Sequence, residues 1–213
     1  AAQPGITVAQ ADSAGGTTSL FLGGGNSNFT KVVVDGVTLN QPGGAIDLSN
    51  FTLDNIDKIE IVRGAQSALF GSDAMTGVVE ILSHRGSTRM PQLVLDGEGG
   101  TFSTGRGMAR VSGMAGRLDY SAAAGYFTTN GQSPNNRFLN RTLSGNFGMR
   151  TGEEGSLRLT LRNNTSNASA PGQTAFMPPN LDQYNALKHF TAGISWDGST
   201  GEHWQHRLAA TET

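Results

Sequence analysis

Two polar segments in the first quarter of the chain, residues 12–18 and 40–45, carry the side chains best suited to contacting a ligand. Their carboxylate, hydroxyl and amide groups come from Asp12, Ser13, Thr17, Asn40 and Gln41. Such groups accept and donate hydrogen bonds without a metal ion or a reactive nucleophile. They would suit an amide-rich small molecule, although they would suit solvent equally well. The chemistry that they indicate is reversible binding.

No residue pattern in the chain indicates catalysis or metal binding. The nucleophile-elbow, P-loop and HExxH patterns are absent from the sequence. His203 and His206 are three residues apart on an apparent strand, so they point to opposite faces and make a poor metal pair. Because the chain has no Cys, thiolate metal sites and disulfides are excluded. We therefore predict a protein that is not an enzyme and that holds no metal and no cofactor.

The elements that position the two polar segments form a small α+β unit within the first 88 residues. Runs of β-branched residues between turn residues predict strands at residues 31–35, 56–62 and 76–82. Residues 66–70 could add one helical turn before Gly71. The sequence therefore predicts a compact unit of short strands at the start of the chain.

The order of these strands predicts which loops lie at the same end of the unit. If the chain descends through Leu20 to Leu22 and climbs again through Val32 to Val34, the turn at 24–28 lies at the lower end. Segments 12–18 and 40–45 then share the opposite, outer end. That outer end is where we expect a ligand to arrive.

After residue 90 the sequence alternates between apolar and polar residues. Leu157, Leu159 and Leu161 alternate with Arg158, Thr160 and Arg162. The same alternation occurs in residues 118–126, 140–150 and 190–197. A period of two places successive side chains on opposite faces, so these stretches predict strands with one apolar and one polar face. Arg110, Arg158 and Arg162 fall on the polar face.

The connections between these strands alternate between short and long. Residues 115–117, 151–155 and 198–201 are short, whereas residues 128–137 and 163–188 are long and polar. Short turns at one end and long loops at the other, joining strands of about ten residues, are typical of a bacterial transmembrane β-barrel. We therefore expect Arg110, Arg158 and Arg162 to line its interior.

Composition is consistent with a barrel and limits the alternatives. Gly accounts for 30 of the 213 residues and hydrophobic residues for only 36%, which favours a Gly-rich β protein. No apolar run approaches the ~18 residues of a membrane-spanning helix, so a membrane location would require a closed barrel. A soluble β-sandwich also alternates, and the pattern alone leaves that alternative open. The net charge of −2 offers no electrostatic attraction for nucleic acid.

The first 88 residues resemble the plug domain of TonB-dependent outer-membrane receptors, particularly those of the cobalamin type. The resemblance lies in residues 20–28, 32–40, 56–74 and 77–82. Its strongest stretch reads Ile-Asp-Lys-Ile-Glu-Ile-Val-Arg-Gly-Ala-Gln-Ser-Ala-Leu-Phe-Gly-Ser-Asp-Ala, from Ile56 to Ala74. In such receptors the plug fills a barrel of about 22 strands in the outer membrane.

This resemblance implies a receptor that binds a large, scarce nutrient, a cobalamin or an iron-siderophore chelate, and imports it with energy from a TonB-type protein. Residues 1–88 would be a plug without its N-terminal coupling segment. Residues 89–213 would be the first seven or so strands of the barrel, in contact with outer-membrane lipid. We expect the chain to be cut at both ends. The alternative is a barrel adhesin whose long loops contact another cell.

The resemblance also implies a lock between plug and barrel, built on Arg63 with Glu60. Members of the family usually carry two plug arginines that meet acidic residues of the barrel wall. At the position of the other arginine this chain has Gly23, and Ala65 replaces the usual Pro. On the residues alone, Arg63 and Glu60 could equally be a solvated strand end. The departure at Gly23 predicts that the plug is seated more weakly or differently.

Overall fold

The computed structural model describes residues 4–11, 14–152, 155–170, 172, 176–178, 181–200 and 204–212. Within these ranges the chain forms two parts, which we call the N-terminal unit (β1 to β6) and the wall sheet (β7 to β13). In the described part of the chain, no helix is long and apolar enough to cross a membrane.

The N-terminal unit is a small α+β structure, as the sequence predicts. Its elements are β1 (Ile6–Gln10), β2 (Thr18–Leu22), a 3-10 turn (Ser27–Phe29), β3 (Thr30–Val34), β4 (Val37–Thr38), β5 (Ile56–Arg63), α1 (Ser67–Phe70) and β6 (Gly77–Ser83). β1 and β2 form an antiparallel pair, and the others form a four-stranded sheet in the order β4-β3-β6-β5. Strands β3 and β6 run parallel, so the chain between them must cross back along the sheet.

An apolar core holds the N-terminal unit together. Leu20 from β2 packs with Val32 and Val34 from β3, and with Val79 and Ile81 from β6. Successive residues of β3 and β6 are buried rather than alternating, as expected for neighbouring parallel strands that are covered on both faces. Burying each such side chain contributes about 1.5–3 kcal/mol.

The wall sheet is one antiparallel sheet whose strands follow the order of the chain. Its seven strands are β7 (Gln92–Gly100), β8 (Thr104–Ala115), β9 (Leu118–Thr129), β10 (Phe138–Arg150), β11 (Gly155–Ser169), β12 (Tyr184–Thr200) and β13 (Trp204–Glu212). In the described part of the chain each strand pairs with its sequence neighbours. The predicted fold class, a small α+β domain followed by antiparallel barrel strands, is therefore confirmed.

The two faces of the wall sheet follow the predicted alternation. Along β11, Thr160, Arg162 and Asn164 are buried against the N-terminal unit, whereas Leu159 and Leu161 are exposed on the other side. We call these the inner face and the outer face. Residues that pair across the ladder share a face, so the register extends this assignment to the neighbouring strands.

Connections of different length lie at the two ends of the wall sheet. The two longest connections, residues 130–137 and 170–183, lie at one end, which we call the long-connection end, together with the three-residue connection 101–103. Residues 116–117, 151–154 and 201–203 join strands at the other, short-connection end. The predicted bounds of the longest loop, residues 163–188, are wrong. Strands β11 and β12 extend into it, because ladder pairing continues past the point where both faces become polar.

Close backbone contacts join the N-terminal unit to the wall. Gly86 lies against the backbone of Gly113, where any Cβ would collide. Near the long-connection end, Gly15 packs against Phe138 and Ala168, again at a distance that excludes a side chain. The N-terminal unit therefore contacts the inner face of the wall near both of its ends.

Candidate functional site

The segment between β4 and β5 makes the most extensive polar contact between the two parts. We call residues 50–55, Asn-Phe-Thr-Leu-Asp-Asn, the anchor segment. The backbone oxygen of Asn50 accepts a hydrogen bond of 2.9 Å from Nδ2 of Asn140 on β10. Asn50 itself is only 1% exposed. The anchor segment therefore begins inside the interface rather than on the surface.

Two further hydrogen bonds continue the anchor segment across the wall. The hydroxyl of Thr52 donates to the hydroxyl of Thr142 over 3.0 Å. Further along, Oδ1 of Asn55 accepts a hydrogen bond from the hydroxyl of Ser121. Asn55 has a φ of 62°, a left-handed conformation that Asn tolerates better than most residues. This local bend turns the chain from the wall into β5.

The charged contact of the anchor segment is an ion pair between Asp54 and Arg106. Nη2 of Arg106 lies 2.9 Å from Oδ1 of Asp54, whose side chain is only 4% exposed. Arg106 also contacts Glu98 at 2.7 Å and Asp96 at 3.4 Å on the inner face. A carboxylate this enclosed needs a charged partner, and such hydrogen bonds contribute about 1.5–3 kcal/mol.

Gly125 makes room for this ion pair. It lies on β9 facing Asp54, and a Cβ at this position would collide with the Asp54 carboxylate. Its φ is not in the left-handed region, so here the requirement for Gly is one of space.

Arg162 is the second cation of the interface and the more buried one, at 5% exposure. Its guanidinium donates to the backbone oxygens of Thr52, at 3.0 Å, and Asp54, at 3.1 Å. The same group lies over the ring of Phe51, 4.5 Å from the centroid. One wall side chain thus holds three residues of the anchor segment, Phe51, Thr52 and Asp54, through ring and carbonyl contacts. The prediction that Arg162 lines the interior is consistent with this position.

Of the predicted ligand contacts near the start of the chain, Thr17 is exposed. It follows Gly15 and Gly16, which places it near the long-connection end of the wall. Asp12 and Ser13 lie outside the described residues. Thr17 is therefore available to a ligand, and its role in binding stays a prediction.

Asn40 is buried and its amide is engaged inside the unit. Its Oδ1 accepts from the backbone nitrogen of Val32 at 2.8 Å, and its Nδ2 donates to the backbone oxygens of Thr30 and Gly44. Both amide donors are used, so this side chain organises its loop instead of presenting donors to a ligand. Gln41, the next residue, is exposed.

The predicted arrangement of the loops around Asn40 needs a correction. The strand-direction argument sets segment 40–45 at the end opposite the turn 24–28, but Gly44 lies against the backbone of Asn28. The reason is a tight reversal at Asp35-Gly36, which returns the chain as β4 alongside β3. Segment 40–45 therefore lies beside the 24–28 turn.

Glu60 and Arg63 lie on β5, the edge strand of the four-stranded sheet. The opposite edge strand, β4, is the one that approaches β12 and β13 of the wall. Glu60 pairs with Lys58 on its own strand, and this hydrogen bond raises the pKa of the Lys58 ammonium. Arg63 is exposed. The predicted lock at Arg63 and Glu60 stays a prediction, since the described wall faces another side of the unit.

The residues that do fix the unit to the described wall were not all apparent from the sequence. Asp54 stands in a short Leu-Asp-Asn stretch that resembles an ordinary turn. Arg106 falls in a Gly-rich strand with weak alternation. Arg162 was visible because it follows Leu161 on the polar parity of a strand in which Leu alternates with polar residues. In the described part of the chain, no cluster of three His, Asp or Glu side chains could hold a metal.

Comparison with known families identifies the first part of the chain. Residues 1–78 match the family model described as the TonB-dependent Receptor Plug Domain. This match covers the stretch in which β1 to β5 and the anchor segment lie.

Solved structures with the same fold cover nearly all of the chain. The ferric yersiniabactin uptake receptor FyuA from Yersinia pestis matches 98% of it, with a TM-score of 0.76 and 17% identity. The FrpB iron transporter from Neisseria meningitidis also matches 98%, with a TM-score of 0.78 and 14% identity. The copper transporter OprC matches 98%, with a TM-score of 0.73 and 14% identity.

These structures are much longer than the chain. It covers 36% of FyuA, 36% of FrpB and 32% of OprC. At these identities the likeness shows the fold.

Proposed function

Because the plug match and the fold make this chain part of a TonB-dependent outer-membrane receptor, we propose that it serves the energy-coupled import of an iron chelate. The chain spans about a third of the length of the receptors it matches, so substrate and partners are inferred for a whole receptor. The N-terminal unit is the plug, and the wall sheet is a portion of the barrel that surrounds it.

The observation that best supports this function is that polar contacts hold the plug against the wall. The anchor segment meets the wall through hydrogen bonds and one ion pair, from Asn50 to Asn55, and not through an apolar patch. An intramolecular hydrogen bond contributes only about 1 kcal/mol net, because water replaces it when it breaks. Polar contacts of this kind hold the plug in place at rest, and water can solvate their groups when the plug is pulled.

Energy coupling follows from this arrangement. A passage through the barrel opens only if the plug moves or rearranges against the wall, and the work for this would come from a TonB-type protein in the periplasm. Breaking a few polar contacts, whose groups water then solvates, needs far less work than exposing the apolar core around Val32 and Val79. The plug would therefore shift on the wall before its own core opens.

An iron chelate is the ligand class that we favour over cobalamin. FyuA and FrpB are an uptake receptor for a ferric siderophore and an iron transporter, while OprC is named a copper transporter. The adhesin alternative finds no support, because a plug domain has no role in attaching to another cell. Exposed Thr17 is the described residue that we propose as a ligand contact, with Asp12 and Ser13 as further candidates. Gln41 is not included, because segment 40–45 lies beside the 24–28 turn.

A transport assay tests this proposal. The full receptor would be expressed in a strain that lacks its own receptors, and the uptake of radiolabelled ferric siderophore and cobalamin would be measured with and without a protonophore. We expect accumulation of iron that the protonophore abolishes. Accumulation of cobalamin alone would reassign the ligand. Accumulation that persists with the protonophore would contradict energy coupling.

A further inference from the structure

The outer face of the wall carries two exposed cations in one row near the long-connection end. Arg141 pairs with Thr165 across the β10–β11 ladder, and Thr165 pairs with Lys188 on β12. Neighbouring strands are about 4.8 Å apart, so the backbone positions of Arg141 and Lys188 are separated by about 10 Å. Asn140 and Thr142 are buried on the inner face, which fixes Arg141 on the outer one.

An aromatic ring stands beside this row. Tyr126 pairs with Arg141 across the β9–β10 ladder, and the Arg141 guanidinium lies 5.9 Å from its ring centroid. Tyrosine is enriched where a membrane protein passes from the hydrocarbon layer into the headgroups. The long connections mark the outside of a bacterial barrel, so the row lies at the headgroup level of the outer leaflet.

An apolar groove begins directly below the row. It has a volume of about 480 Å³, and its floor consists of the small residues Ala109, Ala122 and Ala124, next to Gly145. Leu143 and Phe147 line its side. Leu143 is two residues from Arg141 on β10, and Ala124 is two residues from Tyr126 on β9, so both lie on the outer face one row below.

The groove results from side-chain size and not from backbone distortion. The ladder is continuous through β8, β9 and β10, with Ala109 opposite Ala124 and Ala124 opposite Leu143. A run of Ala and Gly between larger neighbours leaves a channel on an otherwise regular sheet. Its shape suits an extended hydrocarbon chain that runs from the row toward the bilayer centre.

We propose that this groove and the cation row bind one phosphate-bearing lipid of the outer leaflet. An acyl chain lies on the alanine floor, and the phosphate lies between Arg141 and Lys188. A guanidinium binds phosphate through two parallel hydrogen bonds, and a Lys ammonium adds a mobile point charge. The proposal rests on the placement of the wall in the outer membrane and is independent of the nutrient that the receptor carries.

Lipid binding to the purified full-length receptor in detergent tests this site. The probe is lipid A, the phosphorylated lipid of bacterial outer leaflets, and bound lipid is counted by native mass spectrometry over a titration. The variant is Arg141→Gln with Lys188→Gln. The matched control is Arg117→Gln, since Arg117 is exposed at the short-connection end. We expect lipid A affinity to fall about tenfold or more in the double variant and to stay unchanged in the control.

Two further arms separate a lipid from a free anion. Ala124→Leu fills the groove and leaves the cations, and it should weaken lipid A binding while the affinity for inorganic phosphate stays the same. A lipid A without phosphates should bind the wild type about as weakly as lipid A binds the double variant. Both results would support a lipid site with a phosphate anchor.

Other outcomes would overturn the proposal. Equal lipid A binding by the wild type and the double variant would show that Arg141 and Lys188 do not contribute to the site. Full displacement of lipid A by millimolar inorganic phosphate, with no effect of Ala124→Leu, would make it a site for free phosphate. Correct folding of each variant is checked by the mobility of the folded barrel in gels with and without heating, which does not depend on transport, so failure of the transport proposal leaves this test interpretable.

Discussion

The N-terminal unit and the wall sheet enclose opposite kinds of side chain. In the N-terminal unit the apolar core is almost completely buried, with Leu22 at 1% and Val32 at 0% exposure. In the wall sheet Ser121 and Asn146 are completely buried, while Leu143 on the other face is 58% exposed. The N-terminal unit is organised around an apolar centre, and the wall is polar on the inside and apolar on the outside.

This difference shows which forces hold each part. The N-terminal unit gains its stability by removing apolar surface from water, as soluble domains do. The wall gains from an uninterrupted hydrogen-bond ladder, and its outer side chains gain from lipid instead of from each other. The two parts therefore meet through polar surfaces, and their interface is the part of the molecule that can open at the lowest cost.

The largest effect on stability is expected when a buried side chain of the N-terminal unit is truncated, in contrast to a side chain on the outer face of the wall. Leu22→Ala should destabilise the N-terminal unit by about 3 kcal/mol, because Leu22 is 1% exposed and its removal leaves a cavity. Leu159→Ala on the outer face should change stability by less than about 1 kcal/mol, since lipid fills the space that it leaves. Hydrogen exchange of β2 and β11 amides in the detergent-solubilised receptor measures both effects.

Similar losses of stability in the Leu22 and Leu159 variants would contradict the difference between the N-terminal unit and the outer face of the wall. They would mean that the outer face packs against protein, as the face of a soluble sandwich does. The native mobility of the folded barrel in gels, with and without heating, serves as a check that both variants insert.

The next effect concerns the interface. Arg162→Met should weaken the contact between the anchor segment and the wall by about 2–3 kcal/mol, because two buried backbone oxygens lose their charged donor. Arg158→Met is the matched control on the same strand, since Arg158 pairs with Asp119 inside the wall. Entry of an antibiotic too large for porins measures plug seating. We expect it to rise in the Arg162 variant only, and equal entry in both variants would count against the anchor.

A smaller effect is expected at the ion pair. Asp54→Asn removes the charge and keeps the shape of the side chain. It should weaken the contact between the anchor segment and the wall by only about 1.5–2 kcal/mol, because Arg106 keeps Glu98 and Asp96 as partners. A double-mutant cycle with Arg106→Met, read out by the same antibiotic entry, gives the coupling between the two residues. A coupling energy near zero would show that the pair does not hold the plug.

The smallest effect concerns ligand binding. Thr17→Ala should weaken binding of the ferric chelate by roughly fivefold, equivalent to about 1 kcal/mol for one lost hydrogen bond. Asn40→Ala should instead destabilise the N-terminal unit by about 1–3 kcal/mol, because it leaves three backbone groups without their partner. Equilibrium binding and hydrogen exchange separate these effects. The opposite pattern would place the ligand contact at Asn40.

The regular features of both parts could be predicted from local patterns. Alternation around Leu159 and Arg162 predicts the wall strands and their faces, because a period of two fixes the face of every residue in a strand. The β-branched runs predict β3, β5 and β6 with bounds close to those observed. The stretch from Ile56 to Ala74 carries the resemblance to a plug domain, and residues 1–78 match the family model of that domain.

The interface and the loop arrangement could not be predicted in this way. Asp54 and Arg106 are far apart in sequence, and neither lies in a pattern that identifies its partner. Asn40 resembled a ligand contact because its type and loop are polar. Its burial depends on the return of β4 beside β3, a reversal whose consequence for the next loop is a matter of three-dimensional packing.

By itself the sequence determined the class of the protein, the direction in which each wall side chain points and the residues that could bind without catalysing. Those properties depend on neighbours within a few positions. Only the tertiary structure decided that residues 50–55 seat the plug, that Arg162 is their principal donor and that Arg141 and Lys188 share a row above a groove. Each of these depends on register between strands, where a shift of one residue would move every side chain to the other face.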